Sequence, residues 1–369
     1  MHGTEDSKSY VQRILHRPAK SGQKLRHNPY QNGIVFENIL TLMTNRGPMK
    51  IAILDDYQDV VRHLDCFSLL QEHEVKVFNN RAVGLGQLAI RLASFDALVL
   101  IRERTVLNRA LLSKLPKLKL ISQTGKVTGN VDLSAAADLG ITVLEGIGDP
   151  NAPAELTWAL IMASSRKIPQ YAQHLQNGLW QAASTNPQYN QLGRTLKGRQ
   201  LGIWGYGRIG KLVATYARAF GMRVVIWGSA NSRQQAQLDG HQSCASQQEF
   251  FSTSDMVSLH LRLNEVTKGI VTLADLQNMK PDALIVNTSR AELIQPNALV
   301  TALAQGRPGF AALDVFENEP LSDNSVLRGK ENVLLTPHLG YVEKDSYEIY
   351  FGAAFQNVID FCCRPEVSV

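Results

Sequence analysis

No apolar run in this 369-residue sequence reaches the ~18–20 residues that a membrane-spanning helix needs. The longest, such as 97-ALVLI-101, are strand-sized, which excludes a helical membrane protein. Cysteine is scarce as well: Cys66, Cys244, Cys362 and Cys363 form no CxxC pair. That usage gives no metal-ligand spacing, so no metal is expected, and it suits a reducing, cytoplasmic setting. An excess of charge is missing from most of the chain. The net +5 divides into seven Lys/Arg against three Asp/Glu over residues 1–48, and 31 against 30 over the rest. A near-neutral body is a poor electrostatic footprint for nucleic acid. Residues 1–48 read as a flexible, solvated extension. They lack the apolar core of a secretory signal, and Glu5 and Asp6 do not suit a transit peptide.

What the chain does have is rhythm. Short apolar segments (50-KIAIL-54, 74-EVKVF-78, 97-ALVLI-101, 118-LKLIS-122 and 141-ITVLE-145) alternate with helical stretches. The first helix is expected to run from Asp55-Asp56 to about Leu70, and another to be capped by Thr105. Such alternation implies crossover connections and a parallel sheet covered on both faces. At 148-GDPNAPAELTWALIMASSRKI-168 turn chemistry gives way to a long helix beginning near Pro153. After a polar loop over 177–197, a second alternation of about six strands follows, the size of a dinucleotide-binding domain. The final stretch, 344–361, is predicted helical and expected to return to the first domain. The fold class is therefore α/β with two doubly wound parallel-sheet domains. Residues 49–149 and 341–369 are expected to form one domain, and residues 150–340 a Rossmann domain set between its two parts.

The segment 205-GYGRIG-210 closes one predicted strand and opens a helix. In that setting Gly205 permits the tight turn, Gly207 lets backbone approach a pyrophosphate, and Gly210 allows the helix to pack on the strand. Arg208 and Ile209 lie within the same turn, and the helix N-terminus beyond it attracts anions. An acid about 20 residues on would bond a ribose 2′-OH, but this chain reads 226-IWGSANSR-233. A carboxylate there would repel a 2′-phosphate, whereas Ser229, Asn231 and Arg233 can accept one. The cofactor is expected to be NAD or NADP, with a lean to NADP or to dual use.

Three strand ends in that domain carry chemistry: Arg290 after 283-ALIVN-287, Glu319 after 310-FAALDVF-316, and His338 after 332-NVLLT-336. An arginine fork matches a 2-oxo acid, a histidine can protonate a developing alkoxide, and a carboxylate can orient that histidine. Together 202-GIWGYGRIGKLVA-214, 284-LIVNTSRAELI-294, 311-AALDVFENEP-320 and 335-LTPHLGY-341 resemble the D-isomer-specific 2-hydroxyacid dehydrogenase family, phosphoglycerate dehydrogenase-like, over residues 49–361. The resemblance implies an NAD(P)-dependent oxidoreductase interconverting a 2-oxo acid and a D-2-hydroxy acid. It implies that Arg290 binds substrate, His338 acts as acid/base and Glu319 is its partner. It places Thr288 and Asp314, and less firmly His260 and Thr157, beside the cofactor. It also implies a cofactor domain inserted into a flavodoxin-like substrate domain and a homodimer around the helix from Pro153. Loops 101-IRERT-105 and 123-QTGKVTGNVD-132 face the expected cleft. Backbone N–H groups over Gly125, Lys126 and Val127 are positioned to grip a carboxylate. Arg102, Arg104 and Lys126 would suit an acidic, even phosphorylated, substrate, with pairing to Glu103 as the other option for the arginines. Two substrates stand out, 3-phosphoglycerate and glyoxylate/hydroxypyruvate. The rival class is a nucleotide-sensing, corepressor-like interaction protein of the same fold. Departures from the family pattern are Ala291, Gln295 and Arg262.

Overall fold

The computed structural model describes residues 47–82 and 84–363. The extension expected over residues 1–48 lies almost wholly outside them. Among the described residues twelve parallel strands make two sheets. The first holds β1 (Lys50–Leu54), β2 (Glu74–Val77), β3 (Ala97–Leu100), β4 (Leu120–Gln123) and β5 (Thr142–Glu145) in the order β2-β1-β3-β4-β5. The second holds β6 (Gln200–Trp204), β7 (Arg223–Trp227), β8 (Gln242–Ser243), β9 (Met256–Leu259), β10 (Leu284–Asn287), β11 (Phe310–Leu313) and β12 (Val333–Leu335). Its order is β12-β11-β10-β9-β6-β7-β8. The two orders are those of flavodoxin-like and Rossmann-type doubly wound sheets, each reversing direction beside its first strand.

The strands read as near-continuous apolar runs because helices cover both faces: β3, β4, β6, β9 and β10 are buried at every position. The second sheet has seven strands where six were expected. The extra one, β8, is only two residues long and polar, so no hydrophobic run announces it.

Two local expectations shift. The helix expected from Asp55-Asp56 to Leu70 is two 3₁₀ turns, Val61–His63 and Asp65–Leu70, broken by extended Leu64. The Glu348 carboxylate accepts from the Asp65 and Cys66 N–H groups at 2.7 and 3.0 Å, fixing the second turn from across the core. The short helix Arg109–Leu112 is capped by Asn108, not by Thr105. The Thr105 hydroxyl donates instead to buried Asp55, whose carboxylate needs a donor inside the protein.

The long helix Asn151–Arg166 links the sheets, and the helix Lys344–Cys362 returns to the first. Its Tyr347, Phe351, Phe355 and Val358 complete the core that β1, β3 and β4 begin with Ile51, Ile53, Val99 and Leu120. At the junction the Tyr350 hydroxyl and Asp149 exchange hydrogen bonds, N–H to Oη and Oη–H to carbonyl, both at 3.0 Å. This arrangement brings the carboxyl ends of the two sheets to one cleft. Among the described residues no helix is long and apolar enough to cross a membrane.

Candidate functional site

On the second sheet the cleft begins at the glycine turn. Gly205 has φ +101°, and a Cβ there would lie 2.5 Å from the His260 carbonyl oxygen. That carbonyl is fixed, because the His260 N–H donates to Trp204 O at 2.8 Å while Gly205 N–H donates to Trp227 O at 3.0 Å. A Cβ on Gly210 would collide with the Gly205 carbonyl, so helix and strand touch backbone to backbone. Gly207 differs: a Cβ there meets nothing within 4 Å, and the helix Arg208–Ala219 that it precedes has no side-chain cap. The structure thus leaves an open cradle in front of unpaired helical N–H groups, a shape and polarity that fit a dinucleotide pyrophosphate. Arg208 reaches across to the Gly148 carbonyl at 3.2 Å, and Ile209 packs into the core beneath.

At the end of β7 Gly228 stands where an acid was sought. Ser229 caps the helix Ala230–Leu238, accepting from Ser232 N, and Arg233 lies over the Trp227 ring at 4.7 Å. His260 follows β9, with Nε2 on the Ser258 hydroxyl at 2.9 Å and a buried Nδ1 that has no partner. Desolvation pulls its pKa from 6.5 down to about 4. The unfolded chain therefore binds more protons than the native state between these values. Stability is full above pH 6.5 and falls as pH drops toward 4, by about 3 kcal/mol in total. Thermal melting of wild type and His260→Asn at pH 7 and pH 5 checks this: the variant should lose most of the difference between the two.

The strand-end loops meet beside this turn. Asn287 fixes the first, accepting from Ser289 N at 3.0 Å and donating to Arg290 O at 2.8 Å. Arg290 donates to Ser289 O at 2.7 Å and, across the cleft, to Glu103 Oε1 at 2.8 Å. His338 has φ +53°, and its Nδ1 lies 2.7 Å from Glu319 Oε2, while Glu319 Oε1 accepts from Phe316 N at 2.9 Å. Burial works to raise the Glu319 carboxyl, but the His338 contact, the Phe316 N–H and then the nearby Arg290 charge outweigh it and hold the pKa below the ordinary value. With Nδ1 taken, the ring offers Nε2 to the cleft.

The buried Asp314 carboxylate accepts from Thr336 Oγ1 at 2.6 Å, Leu339 N at 2.7 Å and Gly340 N at 2.9 Å. It clamps the loop that carries His338. Burial nonetheless raises the Asp314 pKa. Thr288 and Thr157 share a hydrogen bond of 2.7 Å, tying the β10 loop to the long helix.

The first sheet supplies the opposite wall. Arg102 lies against Gly125, where a Cβ would strike its guanidinium, and its Nε is 3.7 Å from Glu103. Arg104 donates to Tyr341 Oη at 2.9 Å and Asp55 O at 2.6 Å, so of the two loop arginines only Arg102 pairs with Glu103. Lys126 and the Val127 N–H both bind Glu145, at 2.7 and 2.9 Å. The carboxylate that this loop grips is the chain's own. Three participants, Arg81, Tyr341 and the Glu103–Arg290 pair, had no local signal in the sequence. Arg81 donates to the Glu319 carbonyl, and Tyr341 meets the His338 ring edge-on at 5.5 Å. Among the described residues no cluster of His, Cys, Asp and Glu is suited to a metal ion.

Comparison with known proteins adds three kinds of likeness. The family described as D-isomer specific 2-hydroxyacid dehydrogenase, NAD binding domain, matches residues 158–340. A glyoxylate reductase of Aeropyrum pernix is 36% identical over 254 residues, covering 68% of this chain and 75% of that protein. A D-3-phosphoglycerate dehydrogenase of Methanocaldococcus jannaschii is 36% identical over 285 residues, or 75% of this chain and 52% of that one. Among solved structures, a phosphoglycerate oxidoreductase from Vibrio cholerae superposes with a TM-score of 0.82 at 55% identity, covering 85% of this chain and 98% of that one.

Proposed function

The chain belongs to the D-isomer specific 2-hydroxyacid dehydrogenase family, NAD(P)-dependent oxidoreductases acting on CH–OH groups, and from that premise we propose how its own residues carry the reaction. The substrate is a 2-oxo acid, reduced to the D-2-hydroxy acid or formed from it. The nicotinamide dinucleotide supplies or takes the hydride when bound. Residues 49–149 and 341–369 hold the substrate, and residues 150–340 hold the cofactor. Its pyrophosphate would rest against Gly205, Gly207, Arg208, Ile209 and Gly210, with His260 and Thr288 lining the rest, while the expected Thr157 and Asp314 are fully buried and hold these loops from behind. Arg290 grips the substrate carboxylate and carbonyl in a planar fork. His338 passes a proton through Nε2 to the carbonyl oxygen as it becomes a hydroxyl, and takes it back in the reverse direction. Glu319 fixes the ring and balances its charge. The observation that carries this reading is the 2.7 Å contact of His338 with Glu319 in a cleft that also holds Arg290.

Nicotinamide absorbance, followed with glyoxylate, hydroxypyruvate, phosphohydroxypyruvate and pyruvate, tests it. Cofactor binding with no turnover of any 2-oxo acid would sink the reaction and favour a nucleotide sensor.

The cofactor pocket carries no carboxylate at the end of β7, and the Arg233 guanidinium stacks beside that turn. Dual use of NADH and NADPH follows. Arg233→Ala should raise KM for NADPH about tenfold, the scale of one charge-assisted contact, and leave KM for NADH within twofold. Equal effects on both would remove Arg233 from phosphate recognition. The segment after the long helix exposes Ile168, Leu175, Trp180 and Leu192, the last two at 78% and 87%, and this apolar surface suits a homodimer. Light scattering reads that directly.

A further inference from the structure

A phosphorylated 2-oxo acid needs cations that the cleft can spare. Five of the basic side chains around it are already engaged by the protein. Lys126 pairs with Glu145 at 2.7 Å, Arg104 is spent on Tyr341 and the Asp55 carbonyl, and Arg81 donates to the Glu319 carbonyl. Arg102 and Arg290 converge on one carboxylate, Glu103, at 3.7 and 2.8 Å. Glu103 itself is held in place: its Oε1 also accepts from the Thr128 hydroxyl at 2.7 Å, and its side chain is only 19% exposed. Burial alone would raise its pKa, yet Arg290 and Arg102 bring it below the ordinary carboxylate value, so it stays ionised near neutrality. A guanidinium has five donors, so Glu103 and a substrate carboxylate can share Arg290. A second anion on the substrate would be brought against a fixed negative charge instead of a waiting cation. A phosphate adds roughly −1.5 to −2 charges at neutral pH, which sharpens the conflict.

We propose that Glu103 is the specificity-determining residue of the cleft and restricts it to 2-oxo acids bearing a single negative charge. This rests on the reading of Arg290 as the partner of the substrate carboxylate. Within that reading it selects the glyoxylate and hydroxypyruvate class over phosphohydroxypyruvate. Discrimination by charge opposition acts against the wrong ligand rather than for the right one.

The test uses hydroxypyruvate and phosphohydroxypyruvate, which differ by the phosphate alone. Each is titrated calorimetrically into the protein with oxidised cofactor, and each is assayed for turnover with reduced cofactor. Wild type should favour hydroxypyruvate at least tenfold in both Kd and kcat/KM. Glu103→Gln should shrink that ratio at least tenfold by tightening phosphohydroxypyruvate. Glu103→Asp, which keeps the charge, should retain the ratio, as should Asp138→Asn on the exposed pair with Arg109. A binding preference without turnover would sink the proposed reaction and leave Glu103 in its role. Turnover of both substrates alike, or a ratio unmoved in Glu103→Gln, would overturn the proposal and leave the reaction standing. Failure of wild type and Glu103→Gln to bind either acid would overturn both.

Discussion

Replacing His338 by Asn should lower kcat about 10²- to 10⁴-fold, the usual worth of a positioned acid/base, while cofactor affinity stays within twofold. Asparagine is the informative substitution here. Position 338 has φ +53°, a left-handed conformation that Asn tolerates better than most residues. Ala would add backbone strain of roughly 1–2 kcal/mol and blur the result. The loop itself is held by the three hydrogen bonds to Asp314, none of which involves the His338 side chain. The imidazole is therefore removed from a frame that remains. Glu319→Gln should lower kcat by less, because the ring keeps a neutral acceptor at Nδ1. Steady-state kinetics with the best 2-oxo acid reads both, and a His338→Asn enzyme within tenfold of wild type would end its assignment as acid/base.

The second large effect belongs to the glycine turn, where two substitutions should part company. Gly205→Ala places a methyl group 2.5 Å from the His260 carbonyl oxygen and 2.8 Å from its carbon, at φ +101°. Neither backbone can yield, since both are fastened into the sheet by the hydrogen bonds around Trp204 and Trp227. Strain of about 1–3 kcal/mol, with the collision added, should lower the melting temperature and cut cofactor affinity more than 100-fold. Gly207→Ala meets no protein atom within 4 Å and has an ordinary φ of −86°. Its stability should match wild type, while the methyl group, standing where a phosphate approaches, weakens cofactor binding at least tenfold. Thermal melts and fluorescence titration with NADH separate the two properties. Wild-type affinity in Gly207→Ala would mean that the anion does not approach at that point.

Much of the architecture is legible in the sequence because parallel strands buried on both faces must be apolar along their length. The strands β1, β6 and β10 stand out for that reason, and the turn at Gly205 stands out because its glycines sit between a strand and a helix. What escaped has equally physical causes. The strand β8 is too short and polar to leave a pattern. The expected helix before Leu70 fails because Glu348, far along the chain, supplies its cap. Thr105 is drawn from capping to a buried carboxylate that no local spacing reveals. In the cleft, Arg290, Glu319 and His338 attract notice as polar residues at strand ends. Their surroundings do not, because Glu103 lies 187 residues from Arg290, and only the folded chain brings them together.

The return of the helix Lys344–Cys362 bears on the order in which a ribosome can deliver this fold. The core of the first sheet draws on Tyr347, Phe351, Phe355 and Val358, synthesised some 200 residues after β5. Until they emerge, β1, β3 and β4 have one face without its cover. The second sheet has all its strands by Leu335, and its core draws on none of the later residues. Chains truncated after residue 343 and released from the ribosome should therefore hold a protease-resistant cofactor unit joined to a first sheet that is still cleaved, with chaperones the natural occupants of the waiting face.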